Sequence, residues 1–103
     1  MEIYTSGRGQ GKTLKAIQLS AEKQMPIVCS SYHQMEYIKY RAKEMNFKMP
    51  KPIMFDNVRG KVIGNRRGLI ADDLDILLRR ILDDNVYYAT MEDCNITRVE
   101  KES

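Results

Sequence analysis

The stretch Thr5-Ser6-Gly7-Arg8-Gly9-Gln10-Gly11-Lys12-Thr13 puts three glycines into five positions and ends on a lysine and a threonine. Nothing else in the chain constrains its fold as strongly. A short apolar start over residues 1–4 precedes it and reads as a buried strand. Leu14, Ile17 and Ala21 follow at i, i+3 and i+7 and read as one face of a helix. Glycines let a backbone turn tightly and aim its N–H groups inward with no Cβ in the way. Those N–H groups, with the positive start of a helix, make a concave site for an anion. Lys12 adds a long-reaching positive charge, and the Thr13 hydroxyl adds a hard oxygen.

Strand, glycine-rich turn, Lys-Thr and helix resemble the phosphate-binding loop of the P-loop NTPase superfamily. The usual pattern is Gly-x-x-x-x-Gly-Lys-Ser/Thr. Here Ser6 stands where the first glycine is expected, and Gly7 and Gly9 supply flexibility beside it. The resemblance implies nucleotide contacts from Ser6, Gly7, Arg8, Gly9, Gln10, Gly11, Lys12, Thr13 and Leu14. It implies a catalytic role for Lys12 at the terminal phosphates and a Mg²⁺ contact for Thr13.

A second element points the same way. Leu69-Ile70-Ala71-Asp72-Asp73 is an apolar strand ending in acids, at the edge where α/β sheets place their ligands. It resembles the Walker B element of the same superfamily. Asp72 then matches the acid that helps to hold Mg²⁺. Asp73 stands where many ATP-hydrolysing relatives carry a catalytic glutamate, with a side chain one methylene shorter. Helix N-capping is the alternative role for Asp73 or Asp75. The implied cofactors are ATP and Mg²⁺. ATP is preferred over GTP because Asn95-Ile96-Thr97-Arg98 does not match the Asn/Thr-Lys-x-Asp guanine pattern.

Between and after these elements, strands and helices alternate. A first helix is expected over 13–24, stopped by Pro26. Ile27-Val28-Cys29 reads as a buried strand. Ser31 with Gln34 is a capping box, and Met35, Ile38, Ala42 and Met45 put a second helix over 32–46. Its Tyr32, Tyr37 and Tyr40 are expected to pack rather than to touch a base. Pro50 and Pro52 precede a strand at 53–55. Leu74, Leu77, Leu78, Ile81 and Leu82 form the cleanest amphipathic stripe, with Arg79 and Arg80 off it. Val86-Tyr87-Tyr88-Ala89-Thr90 reads as a further strand, with Thr90 at its carboxyl end as either a sensor of the terminal phosphate or an ordinary strand-end residue. This alternation argues for an α/β fold with a mostly parallel sheet of four to five strands flanked by helices, a minimal P-loop NTPase fold. Residues 1–91 form the expected nucleotide-binding domain and 92–103 a polar tail.

With 103 residues, the chain has room for one domain and one core. A net charge of +3 is too small to require a nucleic-acid partner. Charge is nonetheless concentrated in segment 57–68, which opens on Asn57 and carries Arg59, Lys61, Arg66, Arg67 and three glycines with no acid. It is either a solvated loop or a contact for phosphate, nucleic acid or a neighbouring subunit's nucleotide. Cys29 and Cys94 lack metal-ligand spacing, and His33 is the only histidine, which leaves zinc chemistry and a histidine triad without support. No apolar run is long enough for a membrane span or a signal peptide, so no membrane partner and a cytoplasmic setting are expected.

The resemblance extends to the compact P-loop ATP-binding proteins of bacteriophages, which act on DNA or in assembly. It implies a Mg-dependent ATPase of weak intrinsic activity in the host cytoplasm, with self-association or a protein or nucleic-acid partner through 57–68. The rival expectations are a non-hydrolysing nucleotide-binding regulator and a small kinase.

Overall fold

The computed structural model describes residues 1–7, 11–58 and 68–99. Its elements run β1 (Ile3–Thr5), α1 (Lys12–Lys23), β2 (Ile27–Cys29), α2 (Tyr32–Glu44), β3 (Ile53–Met54), a 3-10 turn (Phe55–Asn57), β4 (Ile70–Ala71), α3 (Leu74–Leu82) and β5 (Ile96–Arg98). The architecture is α/β, and every strand pairing among the described residues is parallel.

β2 is the hub. Its three residues are all buried, as expected of a parallel strand covered by helices. It lies between β3 and β4, with Val28 opposite both Ile53 and Ala71. The amide of Ile70 donates to the Pro26 carbonyl at 3.0 Å, which extends the β2–β4 ladder by one bond.

Two helices cover this sheet. α1 buries Ala16, Ile17 and Ser20, and the Ser20 hydroxyl is satisfied by the Met25 carbonyl at 2.6 Å. The helix ends at Lys23 because Gln24 turns left-handed (φ 55) and returns its N–H to the Ser20 carbonyl. Pro26, with no N–H to give, prevents resumption. α2 buries Met35, Ile38 and Ala42, the expected stripe. With Ile17, Ile27, Cys29 and Met54 these residues form the core. Each fully buried isoleucine contributes about 1.5–3 kcal/mol, and Ile17, Ile27 and Ile38 are at most 1% exposed. Truncating Ile38 to alanine would cost about 2–5 kcal/mol.

The structure departs from expectation in three places. The strands divide into a three-stranded sheet, β3-β2-β4, and a two-stranded one, β1-β5, instead of one sheet. The third strand stops at Met54 and gives way to the 3-10 turn. Residues 86–90 form no strand: Tyr87 and Tyr88 are 81% and 94% exposed, and the strand forms ten residues later, at Ile96–Arg98. β5 pairs with β1 through Ile3 and Ile96, Tyr4 and Thr97, Thr5 and Arg98. An aromatic, β-branched run makes a strand only where a partner edge is offered, and β1 offers its edge to β5.

α3 has the expected amphipathic stripe, yet only Leu77 is buried. Leu74, Ile81 and Leu82 are exposed, as is every residue over 79–93. No helix among the described residues is long and apolar enough to cross a membrane. The basic residues Arg59, Lys61, Arg66 and Arg67 lie outside the described residues.

Candidate functional site

The site is built at the carboxyl ends of β1 and β4, where α1 and α3 begin. Ser6, Gly7, Gly11, Lys12, Thr13 and Leu14 of the glycine-rich stretch are described, while Arg8, Gly9 and Gln10 lie outside the described residues. Gly11 is the N-cap of α1, with φ 92 and ψ 15. A Cβ there would meet nothing within 4 Å, so the left-handed backbone, not crowding, requires the glycine. Its carbonyl accepts the first helical bond from the Lys15 amide at 3.0 Å.

The start of α1 lacks the usual closure. Its N-cap, Gly11, has no side chain to cap it, and its first turn holds no acid. Lys12 and Lys15 sit there instead, with their charge against the positive end of the helix dipole. Unsatisfied N–H groups and adjacent cations are both relieved by an anion. Among the described residues, the Ser6 hydroxyl is buried with no hydrogen-bond partner, a second unfilled demand in the same loop. α2 shows the ordinary alternative, because the Ser31 hydroxyl accepts from the Gln34 amide at 3.1 Å.

Two carboxylates face this helix start. Asp72, 3% exposed, accepts from the Thr13 hydroxyl at 3.1 Å. Asp73 Oδ1 lies 2.6 Å from Lys12 Nζ. Asp73 occupies the N-cap position of α3 but makes no capping bond, so its carboxylate serves the loop lysine instead. Its backbone is left-handed, φ 57 and ψ 61, a conformation that aspartate tolerates better than most residues and that still carries strain.

The charges perturb one another. Burial pushes the Asp72 carboxyl above its usual range, and the neighbouring Asp73 charge adds to the push. Hydrogen bonds from Thr13 and Gln34 and the charge of Lys12 oppose it. The hydrogen bond to Asp73 raises Lys12 above the ordinary lysine value, against the pull of burial. Cys29, at the end of β2, is pushed up to about 11, mainly by burial and then by Asp72.

Gln34 is the site residue that the sequence did not disclose as one. Its capping bond forms, but its side chain does not close the expected box on Ser31. The Oε1 atom accepts from the Ser30 amide at 2.8 Å and the Ser30 hydroxyl at 3.1 Å. The Nε2 atom donates to Asp72 at 3.0 Å and to Asp73 at 3.4 Å. The available signal was its place just past the carboxyl end of a buried strand, the edge where such sheets hold ligands.

A cavity of about 270 Å³ opens beside Gly11, between the first turns of α1 and the β1–β5 pair. Leu14 and Val99 give it apolar wall, Tyr4 an aromatic one, and Lys15 and Arg98 positive charge. Lys15 Nζ sits 5.0 Å from the centroid of the Tyr4 ring, within cation–π range. Other candidates are exposed: Thr90 lies in the exposed run, Arg79 and Arg80 are exposed on α3, and Tyr32, Tyr37 and Tyr40 are exposed on α2 instead of packed.

Thr13 and Asp72 together offer a hydroxyl and a carboxylate oxygen. Among the described residues no three His, Cys, Asp or Glu side chains converge to hold a metal. The donor set therefore fits Mg²⁺, which takes one or two protein oxygens and completes its shell with water and phosphate, and does not fit a cation that needs an all-protein cage. Compared with protein-family models, curated proteins and solved structures, the chain matches none.

Proposed function

We propose that the chain is a Mg²⁺-dependent ATP-binding protein of the P-loop type, with slow hydrolysis of the bound nucleotide. The observation that carries this reading is the convergence of two distant stretches: Thr13 on Asp72 and Lys12 on Asp73, at an uncapped helix start. The phosphates would lie over Gly11 and the first turn of α1, where the N–H groups and Lys12 meet negative charge. Thr13 and Asp72 would hold Mg²⁺, which would supply positive charge to offset that of the phosphates. The cavity beside Gly11 offers Leu14 and Val99 to the base, and Lys15 and Arg98 to anionic oxygens.

In the ligand-free geometry Lys12 and Asp73 neutralise each other. A terminal phosphate competes with Asp73 for Lys12, and the released carboxylate can then orient a water for attack. The shorter reach of aspartate makes that step slow. A nucleotide-binding regulator with negligible turnover is the second reading, favoured by the tight engagement of Asp73 with Lys12. A phage origin and a role on DNA or in assembly rest on the sequence resemblance alone.

Binding is tested by melting the protein with and without Mg-ATP. A ligand at 100 times its dissociation constant stabilises the native state by about 2.7 kcal/mol, a shift of about 10–20 °C for a domain of this size. Lys12→Ala should remove most of it. An equal shift in that variant would exclude the site.

A further inference from the structure

We propose that Gln34 is the positioning residue of this site: it holds Asp72 and Asp73 side by side, facing the start of α1, and so makes the first turn of α2 part of the metal and phosphate machinery. The proposal rests on the nucleotide reading for its purpose, and on hydrogen-bond geometry alone for its mechanism.

The orientation of the amide follows from its partners. A backbone N–H can only donate, so the atom 2.8 Å from the Ser30 amide must be the carbonyl oxygen. The Ser30 hydroxyl, at 3.1 Å, shares that oxygen. The NH₂ end is thereby directed at the carboxylates, 3.0 Å from Asp72 and 3.4 Å from Asp73. Each carboxylate has its own partner on α1, Thr13 for Asp72 and Lys12 for Asp73. Among the described residues, Gln34 alone is hydrogen-bonded to both.

Two adjacent carboxylates repel each other, and one of these sits on a strained left-handed residue. Without a shared donor they would relax apart. The backbone of Gln34 is fixed as well, because its amide donates to the N-cap Ser31. The side chain is anchored at two points on Ser30 and the backbone at one on Ser31, so the residue is fixed on the β2–α2 junction before its amide reaches the acids. Partners that orient metal-binding groups from behind typically matter by about 10–100-fold in metal affinity.

Three variants separate positioning from capping. Gln34→Met keeps the length and removes both functions of the amide. Gln34→Glu keeps an acceptor for Ser30 and replaces the donor with a third carboxylate. Asp72→Asn supplies a donor opposite that new carboxylate. In ligand-free melting, Gln34→Glu should lower the transition, and Asp72→Asn should raise it by clearly more in the Gln34→Glu background than in the wild-type protein, a departure from additivity. Separately, binding of a fluorescent ATP analogue should show that Gln34→Met raises the half-saturating Mg²⁺ concentration by about tenfold or more.

Additive melting effects in the double variant would overturn the proposal whatever the protein binds, because Gln34 and Asp72 would then act independently. A folded Gln34→Met protein with the wild-type Mg²⁺ dependence would reduce Gln34 to a helix cap. Failure of the wild-type protein to bind any nucleotide would sink the nucleotide reading, and the melting cycle would still decide whether Gln34 holds the acids.

Discussion

Thr13 and Asp72 stand 59 positions apart in the chain and share a hydrogen bond of 3.1 Å. The bond ties the first turn of α1 to the end of β4. The glycine-rich loop and the acidic strand end were separate patterns in the sequence, and this contact makes them one place. The acid is buried among groups that do not fully compensate it, so its charge carries a cost to folding.

That cost leads to the first prediction. A carboxyl whose folded value is raised contributes stability below its unfolded value and loses it as pH rises through the folded one. In its charged form Asp72 therefore lowers stability. Asp72→Asn should therefore raise the melting temperature of the ligand-free protein near pH 7, by about 4–8 °C for each 1 kcal/mol relieved, while weakening the Mg²⁺ dependence of ATP binding. Calorimetry with and without Mg-ATP checks both. A lower melting point would mean that Asp72 is better solvated than its burial implies.

Asp73 carries a different cost, in its backbone. Asp73→Ala removes the ion pair with Lys12 and keeps a Cβ in a left-handed conformation, a cost of about 1–2 kcal/mol that the wild-type residue also bears. Asp73→Gly loses the same ion pair with no backbone penalty and should melt above Asp73→Ala. Asp73→Asn should leave nucleotide binding intact and lower turnover. Equal melting of the glycine and alanine variants would show that the left-handed backbone is unstrained.

The two cysteines should differ in reactivity. Cys29 is buried with its thiol pushed up to about 11, while Cys94 is half-exposed. At pH 8 a thiol reagent should modify Cys94 quickly and Cys29 only on unfolding. The raised Cys29 value adds stability that is present below pH 9 and lost as pH approaches 11. Mass spectrometry of the alkylated protein decides the first point, and melting across that pH range the second.

Turnover should depend on protein concentration. Charge that develops on the transferred phosphoryl needs cations beyond Mg²⁺ and Lys12, and an arginine from a neighbour can contribute about 10³–10⁵ in rate. Arg79 and Arg80 are exposed in the last turn of α3, beside the exposed Ile81 and Leu82. Specific activity should climb with concentration, and Arg79→Ala or Arg80→Ala should flatten the climb without loss of ATP binding. Fast turnover that is flat from nanomolar to high micromolar protein would point to a cation supplied within one chain.

Much of this was legible in the residues, and the limits have physical causes. Ile27-Val28-Cys29 announced a buried strand, and Met35, Ile38 and Ala42 announced the inner face of α2, because burial writes itself into local pattern. The turn at Gly11 was legible because few residues besides glycine accept its backbone angles. The division of the strands into two sheets was not, because pairing depends on edges brought together from distant parts of the chain. Residues 86–90 had strand composition but no edge to join, while the polar Ile96–Arg98 found one. Gln34 was legible as a cap through its backbone, and only the fold reveals where its amide points.

The pairing of β1 with β5 also sets an order of events during synthesis. Among the described strands, the one that carries the loop leaves the ribosome first and its partner leaves last. At about 5–20 residues per second, the nascent chain spends about 5–20 s with Ile3, Tyr4 and Thr5 lacking that neighbour. Through that interval α1, β2, α2 and β3 can already close around their own core, while the strand on which the glycine loop hangs waits. A nascent chain stopped before Ile96 should protect its core from protease and leave β1 open to cleavage, and release of the full chain should close it.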